Sequence, residues 1–221
     1  MKTIYFEEIS STNDYLKNLN TEEDVLAIAK RQTGGRGTKG RSFLSEDGGV
    51  YLSLLRLNPC LAKDSFSIMM NSAMAVVKTL HAFDIKAKIK WPNDIFVDGK
   101  KICGILIENV FEDERVARSV VGVGLNVNNE LAEEIAEIAT STKRILKKEL
   151  AVPTVTATLA YHLLQSYGYD EYAKSLLFIG EEVTIVTQKS TYKAIIDQVL
   201  PNGNLKTKDG QVFSAGEISI R

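Results

Sequence analysis

The stretch "SVVGVGLNVN", residues 119–128, constrains the fold of this chain more than any other. Its period is two: Val121, Val123, Leu125 and Val127 fall on one side, Gly122, Gly124, Asn126 and Asn128 on the other. That is a β-strand with one apolar face and one face that carries no side chain at two positions. Glycine weakens a strand, and it persists where a ligand or another segment must come close or at a bulge. "KICGILIE" (101–108) is interrupted in the same way at Gly104. The two segments predict a sheet with one face in a core and the other cleared, either for a ligand or for tight packing.

The surrounding sequence switches between this period and the helical one. Residues 3–9, 25–32 and 50–57 read as strands, the last preceded by a "SEDGG" turn. "SSTNDYLKNL" reads as a short helix with Ser10 or Ser11 as its N-cap. Over 64–83, Phe66, Met69, Met70, Ala73, Val76, Val77 and Leu80 recur at three- and four-residue spacing, which predicts a helix and makes the methionines core. "KAKIKW" alternates, with Ala87, Ile89 and Trp91 on one side and Lys86, Lys88 and Lys90 on the other, before Pro92 turns the chain out. An Asp98-Gly99 turn predicts a hairpin, and 130–139, 142–150 and 154–178 read as helices. From about Gly180 short strands alternate with Pro-Asn-Gly and Asp-Gly turns. The expectation is an α+β domain with a mixed β-sheet packed with helices over 1–178, followed by a small β barrel over 179–221. A hydrophobic fraction of 44% in 221 residues is ample for such a core.

Composition excludes several classes of function. The net charge of −1 gives no global field for nucleic acid or anionic membrane. The two cysteines, Cys60 and Cys103, form no CxxC, and together with the lack of a secretory signal they point to a reducing cytoplasm. No apolar run approaches the roughly 18–20 residues of a membrane span. His81 and His162 stand far apart in helix-like patterns, so a zinc site built by the protein is not expected.

"RQTGGRGTKGRS" (31–42) spells G-x-G-x-x-G at Gly35, Gly37 and Gly40, and nearly spells a P-loop that ends on Arg41 and Ser42. Both phosphate motifs require a helix to begin where the loop ends. Here "SFLSEDGG" and another strand follow, and the acidic residue of a dinucleotide site is missing. What remains is a glycine-rich loop with Lys30, Arg31, Arg36, Lys39 and Arg41 and no acid. Such a loop is either a solvated turn or a mobile cationic lid that closes over an anion and excludes water.

"STN" (11–13), "QTGGRGTKGR" (32–41), "KWPND" (90–94), "KICGILIE" (101–108), "GVGLNVN" (122–128) and the closing "GEISIR" (216–221) together resemble the biotin protein ligases, in the order and spacing of that family. The resemblance covers essentially the whole chain. It implies a catalytic domain of the class II aminoacyl-tRNA synthetase-like, biotinyl-lipoyl ligase fold and an SH3-like barrel. It further implies activation of biotin by ATP to biotinyl-5′-AMP, with Mg²⁺ arriving on ATP, and transfer to a lysine of a biotin carboxyl carrier protein. By resemblance Lys90 and Arg36 are the catalytic cations. Ser11, Thr12, Asn13, Gln32, Gly35, Arg36, Gly37, Thr38, Lys90, Gly104, Gly122 and Gly124 would hold biotin. Arg36, Gly37, Thr38, Arg41, Phe43, Lys90, Asn93 and Asn126 would hold ATP and the adenylate. A homodimer paired through the sheet and a cytoplasmic location are the family expectation.

The chain departs from the family pattern at Thr38, where a second loop arginine is common, and at Phe43, where tryptophan is common. Thr38 removes a charge and a planar fork of donors, and Lys39 is the nearest candidate to replace it. The ligase motifs begin in the first few residues, so the N-terminal helix-turn-helix of the repressor members, and with it operator binding, is not expected. Two other readings fit the same residues: a lipoate–protein ligase, for which "STN" and Gln32 would have no ureido ring to hold, and a non-catalytic biotin or nucleotide sensor.

Overall fold

A computed structural model describes residues 1–187, 190–215 and 218–220, without the side chains of Lys39 and Ser219. Of the closing "GEISIR", residues 216, 217 and 221 therefore lie outside the described residues.

Seven strands form the large sheet: β1 (Lys2–Ile9), β2 (Val25–Gln32), β3 (Val50–Leu61), β4 (Lys88–Lys90), β5 (Asp94–Val97), β6 (Lys100–Glu112) and β7 (Arg115–Leu125). Their spatial order is β1-β2-β3-β7-β6-β5-β4. The β1–β2 pair is parallel and the rest are antiparallel, so the sheet is mixed. β1 and β2 are joined through α1 (Thr12–Asn18), the crossover that a parallel pair needs. Ser11 caps this helix, its Oγ accepting from the Asp14 N–H at 3.3 Å. The β5–β6 hairpin turns at Asp98 and Gly99, both at positive φ, as its two-residue turn requires.

The two faces of this sheet bury unequal cores. On one face α2 (Phe66–His81) packs with α4 (Val152–Leu163) over Leu52, Leu54, Val121, Val123 and Ile105. Each such fully buried aliphatic contributes about 1.5–3 kcal/mol. On the other face a small cluster of Leu16, Val25, Ala27, Leu55 and Val120 sits under α1. Beyond α1 that second face is open, and the glycines lie there: Gly122 pairs with Ser53 and Leu106, and Gly124 with Tyr51 and Gly104.

Three expected helices differ from the sequence reading. Residues 130–139 hold only a 3₁₀ turn at Glu133–Ile135, because Lys101 and Ala139 form a β-bridge that pulls the segment onto the sheet edge. The expected helix over 154–178 is two, α4 and α5 (Tyr169–Ser175), broken before Gly168, which is the N-cap of the second. The expected helix over 142–150 ends as α3 (Thr142–Leu146), with Lys147 at positive φ.

The C-terminal segment forms a five-stranded antiparallel sheet of β8 (Glu182–Thr187), β9 (Thr191–Val199), β10 (Leu205–Thr207), β11 (Val212–Phe213) and β12 (Ile218–Ile220), in the order β11-β10-β9-β8-β12. It is joined to the rest through the turn after β9. Trp91 Nε1 donates to the Gly203 carbonyl at 2.9 Å, and Tyr169 Oη donates to Val199 O. No helix among the described residues is long and apolar enough to cross a membrane.

Candidate active site

The open face of the sheet becomes a site because three glycines leave room for side chains that arrive from elsewhere. A Cβ on Gly122 would collide with the Asn13 carboxamide, so this glycine lets the start of α1 lie flat on β7. A Cβ on Gly124 would stand 2.6 Å from the Phe43 ring, and one on Gly104 would be 3.4 Å from that ring and 3.3 Å from Lys101 Nζ. The cleared face is therefore a seat for Asn13, Phe43 and Lys101.

Around this floor the polar residues of "STN" and Gln32 are linked in sequence. The Thr12 N–H donates to Gln32 Oε1 at 2.9 Å, and Gln32 Nε2 donates to Ser45 Oγ at 3.0 Å. Thr12 Oγ1 lies 2.7 Å from Ser53 Oγ, and Ser53 donates to Asn13 Oδ1 at 2.5 Å. Asn13 Nδ2 donates to Glu108 Oε2 at 3.2 Å. Ser11, Thr12, Asn13 and Ser53 are all buried, so these bonds are made away from bulk water. All four line a cavity of about 90 Å³, together with Gln32, Gly104, Gly122 and Gly124. Its size is far below the roughly 300–1,000 Å³ of small-molecule pockets. The cause is Phe43, whose ring lies on the floor and meets Tyr51 edge-on, the ring centroids 6.5 Å apart.

The glycine loop forms the roof and is more structured than its composition implies. Phe43 N–H donates to Gly35 O, Gly37 N–H donates to Arg41 O, and Arg36 bridges Ser42. Gly35 is buried and does not line the cavity; a Cβ there would strike the Phe43 carbonyl and Ser45 Oγ. Its role is close approach and not mobility. Only Gly40, at φ 72°, needs glycine for its backbone. Arg36, Gly37, Thr38 and Arg41 line the cavity. Arg36 Nη2 pairs with Asp14 and, at 3.1 Å, with Glu108. Lys30 pairs with Glu7 and Asp47, and Arg31 with Glu8 and Glu46, so neither belongs to the roof. Among the described residues Arg41 makes no ion pair. The Lys39 side chain lies outside the described residues.

Lys90 does not line this cavity. It faces a second one, of about 540 Å³, bounded also by Phe66, Trp91, Pro92 and the turn at Asn202–Asn204. Lys90 Nζ stands 5.0 Å above the Phe96 ring. The two cavities share Thr38, Arg41 and Asn93, whose Nδ2 donates to Ile105 O. Besides Arg36 and Arg41, a third cation lines the first cavity: Lys101, paired with Asp94 Oδ1 at 2.7 Å, which sequence reasoning missed. Strict alternation places Lys101 with Cys103 and Ile105, on the core face. A register shift between Ile95 and Phe96 sets Lys101 opposite Phe96, while Ile102 and Cys103 both turn into the core.

Asn126 lines neither cavity. Its Nδ2 donates to Thr140 O at 3.1 Å and its Oδ1 accepts from Asn129 Nδ2 at 3.1 Å, so the amide clasps the loop after β7. Asn128 likewise ties Leu150 through both its amide atoms.

Burial pushes the Glu108 carboxyl up, but hydrogen bonds from Lys17 and Asn13 and the charges of Arg36 and Lys17 outweigh it, leaving the group below its ordinary 4.5. Burial pushes the Cys103 thiol and the Tyr51 phenol well above their usual range, so both stay protonated. No three His, Cys, Asp or Glu side chains among the described residues converge as metal ligands.

Residues 5–126, which contain every residue lining the first cavity, match the family model of the Biotin/lipoate A/B protein ligase family. The chain belongs to that family. It is 39% identical over 146 residues to the bifunctional ligase/repressor BirA of Bacillus subtilis, a match covering 62% of this chain and 45% of that one. It is 32% identical over 106 residues to the biotin–[acetyl-CoA-carboxylase] ligase of Paracoccus denitrificans, covering 45% and 43%. The chain thus spans less than half the length of these curated relatives. Among solved structures it resembles the biotin protein ligase of Aquifex aeolicus in complex with biotin and ATP, with a TM-score of 0.83 and 28% identity over 100% of this chain and 98% of that one.

Proposed function

We propose that this chain activates biotin with ATP and transfers the biotinyl group to a lysine of a biotin carboxyl carrier protein. The observation that carries the reading is the pair of cavities meeting at Thr38, Arg41 and Asn93. One has a wall of hydrogen-bonding groups with Lys101 at its floor, as an acid with a ureido ring requires. The other holds Lys90 and is large enough for a nucleotide. In the first step a biotin carboxylate oxygen attacks the α-phosphorus and pyrophosphate leaves. Two anions must approach, so cations belong at their junction. Lys101 is placed for the carboxylate, and Arg41 and Lys90 for the phosphates. In the second step the carrier's amine attacks the acyl carbon and AMP leaves. Mg²⁺ enters as part of the ATP substrate.

Biotin fits only when Phe43 leaves the glycine floor, since the ring occupies the space the bicyclic head would need. The proposal includes a catalytic domain over 1–178, a small SH3-like barrel over 179–221, a homodimer paired along the sheet, and work in the cytoplasm. The wall of Thr12, Asn13 and Ser53 favours biotin over lipoate, which has no N–H groups to give it. Incubation with biotin, Mg-ATP and an apo carrier domain should add one biotinyl group to one lysine of the carrier by mass. Pyrophosphate exchange into ATP driven by lipoate and not by biotin would overturn the reading; binding of biotin without exchange would make the chain a sensor.

A further inference from the structure

Glu108 has no partner role in the reaction, yet its carboxylate touches both the wall and the roof of the first cavity. It sits on β6 opposite Val120, beside α1. One oxygen accepts from Asn13 Nδ2 at 3.2 Å and from Arg36 Nη2 at 3.1 Å, and the other from Lys17 Nζ at 2.8 Å. A carboxylate only accepts. Asn13 must therefore turn its Nδ2 to Glu108 and its Oδ1 to Ser53, which donates to it. The Thr12 hydroxyl then gives its proton to Ser53 or to Gln32 Oε1, 2.7 Å and 3.0 Å away. In either case the Thr12 and Ser53 hydroxyl protons are spent inside the wall, and what these two turn to a ligand is oxygen lone pairs. The same carboxylate holds Arg36, whose backbone bridges Ser42 across the loop.

We propose that Glu108 is a positioning residue that fixes the direction of the hydrogen-bond chain behind the biotin site and fastens the glycine loop to the same point. The inference rests on the ligase reading. It is tested on the full chain with Glu108→Ala and Glu108→Gln, by KM in biotin-driven pyrophosphate exchange and by the rate of tryptic cleavage after Arg36 without ligands. Glu108→Ala should raise KM for biotin by about tenfold or more, the loss of a charge-assisted hydrogen bond, and leave KM for ATP within about twofold. Glu108→Gln keeps an acceptor for Asn13, so KM for biotin should stay within about threefold, while the lost charge speeds cleavage in both variants.

A merely structural residue would not split the two readouts in this way. Unchanged KM for biotin in the alanine variant, equal loss in both variants, or an unchanged cleavage rate would overturn the proposal. If the alanine variant does not fold, the glutamine variant decides alone: faster cleavage with near-normal KM supports the proposal, and any other pairing sinks it. Absence of biotin-driven exchange in the unsubstituted protein would refute the ligase reading, and accelerated cleavage in both variants would then still uphold the fastening of the loop.

Discussion

Lys101 and Lys90 are eleven positions apart and serve different cavities, so their removal should separate kinetically. Lys101→Gln is expected to lower kcat of biotin-driven exchange on the order of 10²–10³-fold, as losing a preorganised charge does. Lys90→Gln should act chiefly on KM for ATP. Exchange kinetics with each substrate varied in turn check both, and equal effects on both substrates would contradict the division. Glu108 gives a pH prediction. Its folded carboxyl lies below 4.5, so its stabilising contribution is present above that value and is lost as pH falls through the lower folded value. Glu108→Gln should flatten the acid limb of Tm against pH, below the ordinary carboxylate range, and leave the neutral region alone. At this scale the sequence was legible where residues act by local pattern, as in the Ser11 cap of α1. Lys101 was not legible, because a bulge reverses the alternation that would turn it to the core, nor were the partners of Asn126, which come from distant loops and leave no local trace.

The elements show the same limit. Strands with period two and a capped short helix were readable from spacing alone, and β2 agrees with its expected residues. The run at 130–139 has helical composition, yet the Lys101–Ala139 bridge holds it as a turn, a tertiary override of local propensity. The glycines of the loop were read as mobility, whereas Gly35 is needed because the Phe43 carbonyl and the Ser45 hydroxyl crowd it. One joint between elements is directly testable. Gly203, at φ 89°, lies so close to Phe66 that any Cβ would collide with the ring, and its carbonyl accepts from Trp91. Gly203→Ala should push the Asn202–Asn204 turn from the second cavity and raise KM for ATP while KM for biotin holds. Trp91→Phe, which removes the hydrogen bond and part of a buried ring, should cost about 1–3 kcal/mol by chemical denaturation.

Over the whole molecule the two cavities are neighbours, with Thr38, Arg41 and Asn93 in the walls of both. Thr38 brings a hydroxyl to a junction where a mixed anhydride would have to be held. Thr38→Arg places a guanidinium fork there, and release of biotinyl-AMP, followed after its formation from labelled ATP, should slow by about tenfold. An unchanged release rate would mean that the loop does not gate the adenylate. The large sheet has a further consequence. Its α2 face carries nearly all of the hydrophobic core, while the ligand face is filled by glycines, small polar groups and one short helix. The protein's durability and its choice of substrate are thus written on opposite sides of the same strands. A residue such as Val121 or Val123 can be under pressure for packing alone, while Gly122 and Gly124 answer to what seats on the open face, the Asn13 carboxamide and the Phe43 ring. That separation makes the scaffold a tractable starting point for directed evolution, because losses in the pocket need not be losses of the fold.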